Sequence, residues 1–174
     1  IVVGCGLNGR NVARVLLETE IPFVVLELNG DLGRAEAQGG MPIYYGDATN
    51  PHVLRHARVE DARVLVMAIS DPFSTRRAVK IAKGMNPALH VIVRTRYLKE
   101  IEELHQLGAD EVVPEEFETS IEIFALVLRS YRLPPEFIHQ KAEQVRREGY
   151  ALLRRTALPE LAHHLRGGTL TDVE

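Results

Sequence analysis

The chain has 174 residues, 45% of them hydrophobic, and a formal net charge of −3 from 21 basic and 24 acidic side chains. That length suits one full α/β domain plus an appendage, and the slightly acidic balance offers no basic surface for nucleic acid. Cys5 is the only cysteine, which excludes an internal disulfide and fits a reducing compartment. There is no run of about 20 apolar residues to span a bilayer and no signal-peptide pattern. The first residue already lies inside a strand pattern with no initiator Met, so the chain is expected to be excised from something larger.

Strand one is read over Ile1–Val3 and runs straight into Gly4-Cys5-Gly6-Leu7-Asn8-Gly9, a Gly-x-Gly-x-x-Gly turn. Gly4 permits the tight turn, Gly6 lets the backbone approach a pyrophosphate, and Gly9 lets the following helix lie close on the strand. That helix is expected to turn Val12, Val15, Leu16 and Thr19 inward, and its N-terminus aims N–H groups and a positive dipole end at phosphates. Cys5 is read as a small space-filler, with a thiol near the ligand as the other possibility. Strand two, Phe23–Glu27, ends on an acid 23 residues after Gly4, where a carboxylate accepts hydrogen bonds from ribose hydroxyls. The pattern predicts a nucleotide-binding Rossmann unit, against the alternative of a glycine-rich turn with no ligand. Glu27 would repel a 2′-phosphate, and Leu28-Asn29-Gly30-Asp31 bring no arginine to offset it. NADP is therefore disfavoured against NAD, NADH, AMP, ADP or ATP.

A helix near Gly30–Gln38 ends at Gly39-Gly40 and leads to strand three, Pro42–Tyr45. Gly46-Asp47-Ala48-Thr49 precede a short helix from Pro51, a residue suited to position N1. Strand four, Arg63–Ile69, is nearly all apolar, as a strand buried on both faces should be. Ser70-Asp71-Pro72 open a helix to about Lys83. Strand five is His90–Val93, helix five about Leu98–Leu107, strand six Glu111–Val113 and a sixth helix about Phe117–Arg132. Six strands in this alternation predict an α/β fold, a Rossmann-type doubly wound parallel sheet of order 3-2-1-4-5-6 with a C-terminal helical extension. Glu136–Arg155 reads as one long helix whose apolar positions Phe137, Ile138, Val145, Tyr150 and Leu152 make no broad core-facing stripe. It is expected to be solvated or packed on a partner chain or neighbouring domain. The chain thus divides into a nucleotide-binding domain over 1–133, a helical extension over 134–157 and a linker over 158–174 towards a missing C-terminal domain.

Ligands of such sheets bind at the carboxyl ends of the strands, which selects a small set. After strand one come Gly4, Gly6, Leu7, Asn8, Gly9 and Arg10; after strand two, Glu27 and Leu28. After strand three, Asp47-Ala48-Thr49 place a carboxylate and a hydroxyl where an adenine edge would sit, unless Asp47 only caps the helix near Pro51. After strand four come Ala68, Ile69, Ser70 and Asp71, the last two equally good as helix caps. After strand five, Arg94 is the candidate for a bidentate phosphate contact, against a salt bridge to Glu115, Glu116 or Glu118.

Nothing in the sequence points to catalysis. A dehydrogenase needs a second module that holds substrate, and none is visible. His52, His56, His90, His105, His139, His163 and His164 are scattered and form no metal pair with an acid partner, and there is no Gly-x-Ser-x-Gly or Cys-x-x-Cys. The reading is a binding domain with no catalytic or metal site, and its rival is a fragment of an NAD-dependent oxidoreductase.

The ordered set Gly4-Cys5-Gly6-Leu7-Asn8-Gly9-Arg10, Val24-Val25-Leu26-Glu27, Gly46-Asp47-Ala48-Thr49, Ala68-Ile69-Ser70-Asp71 and Ile92-Val93-Arg94-Thr95-Arg96 resembles the RCK (also KTN or TrkA-N) family over residues 1–133. The resemblance implies a regulatory domain at the cytoplasmic face of the plasma membrane that binds an adenine nucleotide or NAD(H). It also implies a homodimer through the Phe117–Arg132 helix and gating of a membrane potassium channel or cation/proton transporter. Val112-Pro114-Glu115 and the helix Glu136–Arg155 look most like the Kef-type antiporters. Glutathione-gated Kef proteins carry Arg-Phe-Gly where this chain has Leu7-Asn8-Gly9. Arg96 matches a second arginine of that site, but the resemblance does not extend to glutathione control.

Overall fold

In the computed structural model, which describes residues 1–155, six strands join in one sheet of order β3-β2-β1-β4-β5-β6. They are β1 (Val2–Val3), β2 (Val25–Glu27), β3 (Ile43–Tyr45), β4 (Val64–Met67), β5 (His90–Thr95) and β6 (Glu111–Pro114). The helices are α1 (Leu7–Glu18), α2 (Gly30–Gln38), α3 (Pro51–His56), α4 (Pro72–Met85), α5 (Ile101–Gln106), α6 (Glu115–Ser130) and α7 (Pro135–Arg155). β1 pairs in parallel with β2 and β4, so Val3 lies beside both Leu26 and Met67. Right-handed crossovers carry the chain outward from β1 to β3 and then from β4 to β6, which puts helices on both faces. The doubly wound order expected from the sequence is the order observed.

The first compact unit comprises Ile1–Thr95 and Glu103–Val113. Behind the glycine turn its core gathers Val2, Cys5, Ala13, Val25 and Ala68, with Val12, Leu16, Phe23, Leu32 and Ile43 packed around them. The inward stripe of α1 is therefore Gly9, Val12, Ala13 and Leu16. Val15 and Thr19, expected inside, face out, because α1 starts at Leu7, within the glycine motif, and ends at Glu18. Thr19 is its C-cap, and the Thr19 hydroxyl donates to the Val15 carbonyl at 2.8 Å. Cys5 is fully buried. Burial first, then the nearby charges of Glu36 and Glu27, push its thiol above the ordinary value, so it stays a protonated space-filler.

Asp110 ties α4 to the far side of this unit. Its Oδ2 accepts from the Val91 N–H at 2.7 Å and from Lys83 Nζ at 2.9 Å. Partial burial pushes this carboxyl up, but those two donors outweigh it and hold it below the ordinary aspartate value. A depressed folded-state pKa stabilises above the unfolded value and is lost as pH falls through the folded one. Thermal unfolding of wild type and Asp110→Asn should therefore differ at neutral pH and converge in acid below about pH 4; a gap that persists undiminished there would show the charge to be irrelevant.

The second unit comprises Arg96–Glu102 and the chain from Pro114 on. α7, expected to be solvated or packed on a partner chain or neighbouring domain, packs along α6 of its own chain. Ile138 and Ala142 are 5% and 7% exposed, and Arg146 and Tyr150 extend the same stripe. Arg146 Nε donates to Glu118 Oε2 at 3.0 Å and the Tyr150 hydroxyl to Glu118 Oε1 at 2.9 Å. The Tyr150 ring meets Phe117 edge-on, with centroids 5.4 Å apart. An apolar count misses this face because three of its four residues are a small one, Ala142, and two long amphipathic ones, Arg146 and Tyr150. The expected linker over 158–174 lies outside the described residues.

Candidate nucleotide-binding site

Glu27 organises the ends of the strands. Its Oε2 accepts from the Cys5 N–H at 2.6 Å and its Oε1 from the Asn29 N–H at 2.7 Å, while its carbonyl accepts from the Gly46 N–H at 3.0 Å. One residue thus joins the turn after β1, the start of α2 and the turn after β3. Each carboxylate oxygen keeps further acceptor capacity, which is what a ribose diol requires.

Two glycines of the turn are fixed by crowding and one is left open. Gly4 has φ +95°, a left-handed value that side chains resist, and a Cβ there would lie 2.6 Å from Ile69 Cγ2. At Gly9 a Cβ would stand 1.9 Å from the Gly4 carbonyl oxygen. At Gly6 no such atom lies within 4 Å. Gly6 is the N-cap of α1 and, being glycine, brings no capping side chain of its own. The result is a helix start with its dipole end facing a bare surface, where an anion is favoured.

The other expected ligand residues fall into place unevenly. Leu7, Asn8 and Leu28 are exposed at this end of the sheet, whereas Ala48 and Ala68 are buried, and Ala68 Cβ would touch a Cβ on Gly9 at 3.6 Å. The side chains of those two alanines are closed off from solvent. Asp47 is exposed and does not cap α3. Its Oδ1 accepts from the Thr49 N–H at 2.8 Å, and the cap is Asn50, which accepts from the His52 N–H at 2.9 Å. Asp71 caps α4 by accepting from the Ser74 N–H at 2.7 Å. Bonds from Ser74 hold its carboxyl below the ordinary value. Ser70 instead accepts from Arg94 Nη1 at 2.7 Å. Of the acids considered for Arg94, Glu118 is engaged by Arg146. Arg10 points from α1 to α2, where its Nη1 lies 3.0 Å from Glu36 Oε1.

Asn29, Asn50 and Glu36 were not expected at the site. Asn29 caps α2 by accepting from the Asp31 and Leu32 N–H groups. Both caps carry the local signature of an asparagine directly before a helix start. Glu36 has none, since it meets Arg10 only through the packing of two helices. An open cleft of about 490 Å³ between α2 and β3, lined by Gly30, Gly33, Arg34, Ala37, Ile43 and Tyr45, contains none of the expected ligand residues.

Residues 1–115 match the TrkA-N domain family. The chain belongs to that family. As a TrkA-N domain it is 31% identical over 160 residues to the glutathione-regulated potassium-efflux system protein KefC of Escherichia coli, covering 92% of this chain and 26% of KefC. It spans about a quarter of the length of the curated relatives it matches. The Shewanella denitrificans Kef C-terminal domain in its AMP-bound form superposes with a TM-score of 0.76 at 21% identity, covering 88% of this chain and 94% of that one. The GsuK channel bound to NAD superposes with a TM-score of 0.63 at 26% identity, covering 71% of this chain and 22% of that one. Among the described residues of the TrkA-N domain, no helix is long and apolar enough to cross a membrane, and no group of three or more His, Cys, Asp or Glu could hold a metal ion.

Proposed function

We propose that this domain is a nucleotide sensor that binds an adenine nucleotide or NAD(H) at the strand ends and regulates a membrane potassium transporter or channel, without catalysing a reaction itself. The observation that carries the reading is the start of α1 at Gly6, with open space where a Cβ would stand, beside a Glu27 carboxylate fixed by the Cys5 N–H. The first offers phosphate binding and the second ribose binding. The AMP-bound and NAD-bound relatives support the same assignment. The ligand set is Gly4, Gly6, Leu7, Asn8, Gly9 and Arg10 with Glu27, Leu28, Asp47, Ile69, Ser70 and Arg94, and the buried Ala48 and Ala68. In this reading the attached transporter is of the cation/proton antiporter kind, which the match to a K(+) efflux antiporter, KefB, supports, and the domain works at the cytoplasmic face of the plasma membrane. Residues 1–133 serve as the nucleotide domain, 134–157 as its helical extension and 158–174 as a linker.

Regulation works through a conformational equilibrium, which ligand shifts only by its difference in affinity between the two states. Titration of the purified chain with AMP, ADP, ATP, NAD and NADH by calorimetry tests the sensor reading. Saturable binding of at least one is expected, and no binding of any would reduce the glycine motif to scaffold.

The partner in that equilibrium is a second copy of the chain, held through α6. Ile123, Leu126, Val127 and Tyr131 recur at helical spacing and stand exposed, Tyr131 at 79%, while Ile121 and Ala125 on the other side of the helix are buried. A helix apolar on two sides needs two neighbours, and α7 supplies one of them. Light scattering should give a dimer mass for the wild type and a monomer mass for Leu126→Glu, because a charge at the centre of an apolar interface is left without a partner. A monomeric wild type would sink the dimer.

A further inference from the structure

The sequence around Glu27 contains no arginine to receive a 2′-phosphate, yet the fold brings two to that side of the sheet. The crossovers β1–α1–β2 and β2–α2–β3 run in the same direction, so α1 and α2 lie side by side on one face. Arg10 sits in the first turns of α1, just beyond the glycine turn, and Arg34 sits on α2. Each is tied to an acid of α2. Arg34 pairs with Asp31, three residues before it, and lines the cleft between α2 and β3. Arg10 pairs with Glu36 across the two helices at 3.0 Å. The Cys5 N–H donates to Glu27 Oε2 at 2.6 Å, and a Cβ on Gly33, three residues before Glu36 on α2, would stand 3.8 Å from Glu27 Cγ, so the Arg10–Glu36 pair lies on the helix that packs against Glu27.

We propose that Glu36 is a specificity-determining residue of the nucleotide site: by holding the Arg10 guanidinium against α2, it denies a 2′-phosphate the cation that would offset Glu27. This rests on the nucleotide reading above and adds to it a residue 26 positions from its partner. Glu27 alone disfavours a 2′-phosphate by repulsion. That repulsion can be overcome where an arginine is free to form a charge-assisted fork with the phosphate. In this chain one arm of that guanidinium, Nη1, already donates to Glu36 Oε1. A 2′-phosphate competing for Arg10 would leave Glu36, only a quarter exposed, facing Glu27 and the phosphate with no counter-charge. The selected class is therefore nucleotides with a free 2′-hydroxyl, and the selecting group is an acid that never touches them.

The pair to compare is AMP and adenosine 2′,5′-bisphosphate, which differ only in the 2′-phosphate, titrated into wild type, Glu36→Gln and the double variant Glu36→Gln/Arg10→Ala. An exposed ion pair contributes little to stability, so Glu36→Gln should melt as the wild type does. Wild type should prefer AMP. Glu36→Gln should improve the bisphosphate relative to AMP by about tenfold, the size of one charge-assisted hydrogen bond, and Arg10→Ala in that background should erase the gain. An unchanged ratio in Glu36→Gln overturns the role of Glu36. A gain that survives Arg10→Ala overturns it too, because Arg10 would then not be the group released. If the wild type binds neither nucleotide, the sensor reading itself falls, an outcome separate from AMP binding with an unmoved ratio.

Discussion

Alanine at Gly6 should leave the fold intact and weaken nucleotide binding, whereas alanine at Gly9 should unfold the domain at markedly lower temperature. The two glycines are three residues apart in one motif, and the structure gives them opposite reasons to exist. A Cβ on Gly9 would lie 1.9 Å from the Gly4 carbonyl oxygen, and neither side can yield cheaply. Gly4 is held by its N–H to the Leu26 carbonyl at 2.8 Å and by its positive φ, and Gly9 is buried in the first turn of α1. Overpacking backbone against backbone costs about 3 kcal/mol, which in a chain of this size lowers the melting temperature by roughly 10 °C. At Gly6 the backbone has φ −69° and a Cβ would meet nothing within 4 Å. Alanine there is conformationally free and even stabilises slightly, by up to about 1 kcal/mol, by restricting the unfolded chain. Its methyl group would stand where the pyrophosphate must approach α1, so affinity should fall at least about tenfold. Circular dichroism melts and calorimetric titration of both variants give the test. Undiminished binding by Gly6→Ala would show that phosphates do not cross that residue.

The same motif shows what could be read from the sequence. Strand order follows from the regular βα alternation together with the handedness of crossovers, and both are local or universal rules. Glu27 could be placed because a fixed number of residues separates it from Gly4 in one βαβ unit. What escaped was whatever depends on two elements meeting. Val15 and Thr19 were put on the wrong face of α1 because the helix begins inside the glycine turn, at Leu7, which selects the stripe 9, 12, 13 and 16. The cap alternative to Asp47 as a ligand falls, because Asn50 stands nearer the helix start and takes that role. The face of α7 was invisible to an apolar count because Ala142, Arg146 and Tyr150 complete it through Glu118 and Phe117 of α6. Glu36 was invisible because nothing local marks it, and it matters only through Arg10.

Replacing Glu27 with alanine should weaken AMP by about a hundredfold, but that loss alone does not identify the contact. The carboxylate does two jobs. It accepts from the Cys5 and Asn29 N–H groups, so its removal leaves backbone donors unpaired at the base of the phosphate turn, at a cost of about 1–3 kcal/mol in stability. It also presents the remaining lone pairs to the ribose, where two bonds to a charged acceptor account for the hundredfold. A loosened turn and a missing acceptor both weaken AMP, and they part only when the ligand changes as well. Wild type should bind AMP much more tightly than its 2′,3′-dideoxy analogue, which lacks both hydroxyls. Glu27→Ala should bind the two alike, because the hydroxyls have lost the group that distinguishes them. If the variant still prefers AMP over the dideoxy analogue by the wild-type factor, Glu27 supports the turn and some other group holds the sugar.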